Sequence, residues 1–146
     1  MRVLIDRNVF LSYILAPSEP RSVTTVITAC LTANQIDLLI PPEQINELAD
    51  SVANKRYFRT HIPRALIDDL LAQLVALGEM HPALDEFASF SRDPKDDYLV
   101  AYGIVNEADY LITGDRDLLV LDRVGELQVV TPAEFLQILP GQLLLP

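Results

Sequence analysis

The chain has 146 residues, half of them hydrophobic, one cysteine, and a formal net charge of −10 from 21 acidic and 11 basic residues. That length suits one domain with a real core, and no apolar run approaches a membrane span. The acidic balance excludes non-specific nucleic-acid binding through a globally basic surface, and the lone Cys30 excludes an intrachain disulfide or a cysteine-built zinc site.

The start, MRVLID, lacks the basic region and long apolar stretch of a signal peptide, so a reducing cytoplasm is the expected location. Residues 2–5 are apolar without alternation, the pattern of a strand covered on both faces. Asp6 ends that strand, and Arg7 and Asn8 follow before VFLSYIL turns helical. After the loop PSEP, a second helix over 21–34 carries Val23, Val26, Ile27, Cys30 and Leu31 on one stripe, which makes Cys30 a buried small hydrophobe. A second strand over 36–40 stops at Pro41-Pro42.

A third helix has its apolar stripe at Ile45, Leu48, Ala49, Val52 and Ala53. Periodicity alone puts Glu43, Glu47 and Asp50 on the opposite, solvated face. The segment 54–64, NKRYFRTHIPR, reads as a basic connector in which Lys55, Arg56, Arg59 and Arg64 fall within ten residues, with His61 among them. A solvated helix end explains it in the ordinary way, and a local phosphate-binding patch is the other reading. A fourth helix over 64–76 carries Leu66, Leu70, Leu71 and Leu74.

Asp93 and Pro94 have the form of an N-cap and first helical position. The helix they open has a stripe at Val100, Ala101, Ile104, Val105 and Ala108, and Asp97 falls on that stripe. A buried carboxylate is costly unless something pairs with it. Asp96 is adequately explained as a first-turn charge favoured by the helix dipole. A strand over 109–113 follows, broken by Gly114, with Asp115 and Asp117 just past its end. A short helix over 118–121, a last strand over 127–130 and a capping box at Thr131 and Glu134 complete the chain. The order implies a three-layer α/β/α sandwich with a mainly parallel sheet over 1–140, trailed by an apolar tail over 141–146.

In such a sheet Asp6 and the pair Asp115 and Asp117 stand at carboxyl ends of strands, where ligands bind. Capping and an acidic turn would account for the later unit alone; strand ends sharing one sheet edge make a common site the better reading. Converging carboxylates repel unless cations neutralise them, so Asp97→Asn would relieve repulsion in the metal-free protein. Oxygen-only ligands suit Mg²⁺ or Mn²⁺, which activate water and stabilise displacement at phosphorus. No HExxH, GxSxG or Walker A sequence competes. A receiver domain would want an acidic pair after the first strand and a late Lys, and a dehalogenase-like phosphatase would begin DxDxT; neither pattern is present.

The stretches IDRNVF, INEL, DDYLVA and LITGDRDLL, in this order and over nearly the whole chain, resemble the PIN-domain family. Within it they are most similar to the VapC-like toxin components of toxin–antitoxin pairs. The resemblance implies a metal-dependent endoribonuclease using Mg²⁺ or Mn²⁺. Asp6, Glu47, Asp97 and Asp115 match its catalytic acidic residues, Asp117 is a further metal ligand, and Asn8 and Thr113 are supporting polar positions. Glu47 enters by this route alone. Arg7 stands where family members commonly carry Thr or Ser; beside Asp6 a cation would bind phosphate or compete with the metal. RNA as substrate, with Arg7, Lys55, Arg56 and Arg59 as contacts, a proteinaceous antitoxin, a homodimer and no membrane contact complete the expectation. A catalytically silent binding module and a housekeeping RNA-processing nuclease are the alternatives.

Overall fold

A computed structural model describes residues 1–91 and 94–139. Asp93, expected as an N-cap, and the tail over 141–146 lie outside the described residues. Five strands form one sheet: β1 (Arg2–Ile5), β2 (Asp37–Leu38), β3 (Tyr110–Ile112), β4 (Arg123–Val124) and β5 (Leu127–Val130). Their order is β2-β1-β3-β5-β4, with only the edge pair β4 and β5 antiparallel. The expected three-layer, mainly parallel architecture is thus observed. No described helix is long and apolar enough to cross a membrane.

The unbroken apolar run in β1 has its reason in two cores. Val3 and Ile5, with Ile112 and Val130, face a cluster that includes Phe10, Val26, Ile27, Leu48, Leu70 and Leu74. These belong to α1 (Arg7–Leu15), α2 (Ser22–Thr32), α3 (Pro42–Asn54) and α5 (Arg64–Leu77). Leu4, Leu111 and Val129 face the other way, onto Leu99, Val100 and Tyr102 of α6 (Pro94–Val105) and Leu118 of α7 (Arg116–Leu119). Period-two alternation along each strand therefore feeds both layers. Cys30 is buried as expected, and burial pushes its thiol up to about 12, which keeps it inert.

Three local readings need correction. The basic connector contains a helix, α4 (Arg56–His61), between α3 and α5. The second strand is shorter than 36–40: its ladder with β1 covers Asp37 and Leu38, and Leu39, still bonded to the Val3 carbonyl, crosses to bridge Glu79. That crossing brings Ile40 so close to Gly78 that any Cβ there would collide with the Ile40 side chain. On α6, Ile104 and Val105 are 39% and 61% exposed, and Tyr102 and Gly103 are buried in their place. The helix turns its smallest residue to the sheet, where a Cβ at Gly103 would lie 2.8 Å from Leu4 Cδ1. The last helix, α8 (Pro132–Ile138), carries the expected capping box with both hydrogen bonds formed.

Tyr102 joins this core to the bridge. Its hydroxyl accepts from the His81 backbone N–H at 2.8 Å and donates to the Ile40 carbonyl at 3.2 Å. Tyr102→Phe leaves both groups without that partner and is expected to cost about 1–3 kcal/mol. A melting temperature lowered by roughly 2–10 °C would register this, whereas an unchanged one would show that water replaces the hydroxyl.

Candidate active site

From β1 the chain passes through α1 and α2 to β2 on one side, whereas β3 pairs with β1 on the other. The crevice past the carboxyl ends of β1 and β3 is therefore the topological switch point, where open α/β sheets place ligands. Asp6 follows β1, and Thr113, Gly114 and Asp115 follow β3. The register fixes them together: Ile5 lies opposite Ile112, and the Asp6 N–H donates to the Ile112 carbonyl at 2.9 Å.

Asp6 is only 6% exposed. Its Oδ2 accepts from Thr113 Oγ1 at 2.8 Å, and its carboxylate also accepts from the Asn8 backbone N–H. Burial pushes the Asp6 acid above its ordinary value, against the pull of those two donors and Arg7, and the negative charge of Asp115 adds to the rise. Thr113, fully buried, uses its hydroxyl twice: it donates to Asp6 and accepts from the Asp115 backbone N–H at 3.0 Å. Asp115 in turn caps α7, its Oδ1 accepting from the Asp117 N–H at 2.9 Å. Asp6, Thr113, Asp115 and Asp117 thus form one connected chain of hydrogen bonds. Asn8 joins through its backbone, while its exposed side chain lines an adjoining cleft of about 660 Å³ with Ser12, Asp115 and Arg116.

Asp97 is buried, as its stripe position implies, but it is not left to repulsion. Its Oδ1 accepts from the backbone N–H groups of Phe90 and Ser91 at 3.1 and 2.8 Å and from Ser91 Oγ at 3.0 Å. Burial pushes this acid up, but the donors together outweigh it, and Asp97 sits below the usual carboxylate range. The expectation that Asp97→Asn relieves repulsion is therefore reversed.

Glu47 is half-buried rather than solvated, as is Glu43; Asp50 alone of the three is exposed. The third helix is rotated relative to the expected stripe, with Gln44, Leu48, Ser51 and Val52 as its buried face. Glu47 Oε2 accepts from the Tyr98 hydroxyl at 2.9 Å and pairs with Arg7 Nη1 at 3.4 Å. Burial first, then the charge and hydrogen bond of Glu47, push the Tyr98 phenol well above its ordinary value. Tyr98 and Gln44 escaped the sequence reading. Gln44 had a signal, since positions 44, 48, 51 and 52 share helical spacing, the test that singled out Asp97. Tyr98 had none, because its role lies in reaching across from α6 to α3.

Among the described residues, no three Asp, Glu, His or Cys side chains converge tightly enough to hold an ion as they stand. Asp6 and Asp115 share the crevice, whereas Glu47 and Asp97 are turned to partners of their own. The donor chemistry nonetheless fits a hard divalent cation. The donors are all oxygens, and two buried acceptors at the start of α3, Glu43 Oε1 and Gln44 Oε1, have no hydrogen-bond donor. Gln44 reaches the carbonyl of Ile5, the residue before Asp6, through its Nε2. Lys55, Arg56 and Arg59 lie apart from this crevice, exposed around α4 at the far end of α3.

A family model described as PIN domain matches residues 2–117. Among solved structures, the chain is similar to the crystal structure of VapBC2 from Rickettsia felis bound to a DNA fragment from their promoter. The likeness has a TM-score of 0.57 at 13% identity and covers 90% of this chain and 98% of that one. Comparison with curated proteins gives no match.

The two buried aspartates should respond oppositely to amide substitution. With chelator at pH 7, Asp6→Asn removes a charge that burial disfavours and should raise the melting temperature by roughly 2–6 °C. Asp97→Asn discards a charge held by three donors and should lower it by roughly 3–10 °C. The Asp6 gain should shrink as pH falls through that group's raised value. The Asp97 deficit should persist down to about pH 4, the unfolded carboxylate value, and fade only below it. Shifts of the same sign for both variants would contradict these environments.

Proposed function

The chain belongs to the PIN-domain family, and from that premise we propose that it is an Mg²⁺- or Mn²⁺-dependent endoribonuclease serving as the toxin of a toxin–antitoxin pair. PIN domains are generally nucleases. The observation that carries the reading is the pairing of Asp6 and Asp115 across the β1–β3 switch point through Thr113. Asp6 and Asp115 would hold the ion, Asp117 stands next to them, and Glu47 and Asp97 would contribute from α3 and α6. Bound there, a divalent ion supplies polarisation of the phosphodiester and a water of lowered pKa.

The chain's own residues do the rest. Thr113 fixes the rotamer of Asp6, and the Asn8 N–H holds its carboxylate from the other element. Arg7 neutralises Glu47 and sets a guanidinium beside Asp6, within the field that a phosphate would feel. Lys55, Arg56 and Arg59, apart from the crevice at the far end of α3, would add further phosphate contacts on a chain of net charge −10. The likeness to a VapBC2 complex supports a proteinaceous antitoxin, and a cationic side chain of such a partner, set between Asp6 and Asp115, would silence the site by replacing the ion's charge.

Cleavage of total RNA with Mn²⁺, mapped by end sequencing, tests this. Asp6→Asn and Asp97→Asn should each abolish cleavage at temperatures where the variant is folded, and Glu126→Gln, on the exposed β4–β5 turn, should not. For a dissociation constant near ~1 mM, ~10 mM Mg²⁺ should stabilise the wild type by about 1.4 kcal/mol. The pairing of Arg7 with Glu47 favours a second reading, a non-catalytic binding module. RNA binding without cleavage, and without a metal-induced shift, would decide for it.

A further inference from the structure

We infer that the outer face of α4 is a base-stacking platform for single-stranded RNA, with Tyr57 as the ring that receives a base; the inference rests on the ribonuclease reading above. Tyr57 is 59% exposed, yet its ring is held. His61, one turn later, lies against it with ring centroids 4.3 Å apart and planes 31° apart. The His61 ring is itself fixed, because Nδ1 donates to the Tyr57 carbonyl at 2.8 Å. Phe58 meets Tyr57 edge-on at 5.7 Å and packs inward against the core, while Lys55 Nζ sits 5.8 Å from the Phe58 ring centroid. An aromatic side chain braced on one side and open on the other loses little freedom when a base stacks on it.

The charge around it is equally uneven. From Ser51 to Ile67 there is no acidic residue, in a chain with 21 of them. Lys55, Arg56 and Arg59 are exposed, and none of the three enters an ion pair among the described residues. Cations beside a stacked, exposed aromatic pair fit a sugar–phosphate strand with its bases turned out. The placement also fits. Glu47, paired with Arg7 beside Asp6, and Asn54, the last residue of α3, are seven residues apart, about 10 Å along the helix axis, and Lys55 and Arg56 follow at once. A strand running from the Arg7–Glu47 pair along α3 would reach α4 within a few nucleotides.

An i, i+4 aromatic pair that only steadies a short helix would leave RNA affinity untouched. The discriminating experiment is binding of the full chain, with chelator present, to a single-stranded oligoribonucleotide containing 2-aminopurine, over a series of salt concentrations. Tyr57→Ala should weaken binding by roughly 5–100-fold at every salt, leave the salt slope unchanged and abolish the fluorescence quenching of the probe. Tyr57→Phe should bind within about 2-fold of wild type. Alanines at Lys55, Arg56 and Arg59 should instead flatten the slope by about one unit for each phosphate no longer neutralised. Unaltered affinity in Tyr57→Ala, or an equal loss on duplex RNA, would overturn the platform, as would retained RNA affinity with loss of a protein partner. If the wild type binds and cleaves RNA while Tyr57→Ala matches it, only the platform fails. If the wild type does neither, the ribonuclease reading fails with it.

Discussion

The hydrogen bond from Thr113 to Asp6 holds the site together. It spans 107 positions of sequence within one buried contact and exists because β1 and β3 are parallel neighbours in fixed register. A one-residue slip between these strands would turn Thr113 away from Asp6 and invert the two cores as well. The packing that pins the register, Ile5 and Ile112 on one face and Leu4 and Leu111 on the other, therefore also sets the geometry of the acidic crevice. Fold and site are not separable here: the same two strand ends serve both.

The acidic residues survive close company because each has its own local solution. Asp6 carries the burial penalty and is eased by Thr113 and the Asn8 N–H. Asp97 is held by backbone donors of Phe90 and Ser91, Glu47 by Tyr98 and Arg7, and Asp115 serves as a helix cap. This arrangement leaves Asp6 as the carboxylate with most to gain from an ion. Arg7 is the distinctive part of this pattern. Its guanidinium neutralises Glu47, so any recruitment of that carboxylate to an ion competes with an internal pair.

Much of this was legible in the sequence, for reasons that differ by element. β1 and β5 fall on their expected bounds because apolar runs ended by Asp6 or by a capping box leave no room for another reading. The strand-end positions of Asp6 and Asp115 follow from element order alone. The buried position of Asp97 follows from helical spacing, but its partners do not, since the donors come from the irregular segment before the helix. Periodicity misled at α3, where the polar Gln44 is fully buried and Ile45 only half-buried against the core, so Glu47 lies off the solvated face expected for it. It misled again at α6, where contact with Leu4 and Leu127 selects Gly103 over Ile104. In both cases tertiary packing decided which face was buried, and composition gave no hint of it.

If the crevice joined by Asp6, Thr113 and Asp115 is a divalent-cation site, crystals will show the ion there. The most direct measurement is an anomalous difference map from crystals of the full chain soaked in Mn²⁺. A peak is expected at the switch point, with carboxylate oxygens of Asp6 and Asp115 about 2 Å from it, and no such peak in crystals of Asp6→Asn. A map of good quality with no peak between Asp6 and Asp115, or with the ion held only by other residues, would contradict it.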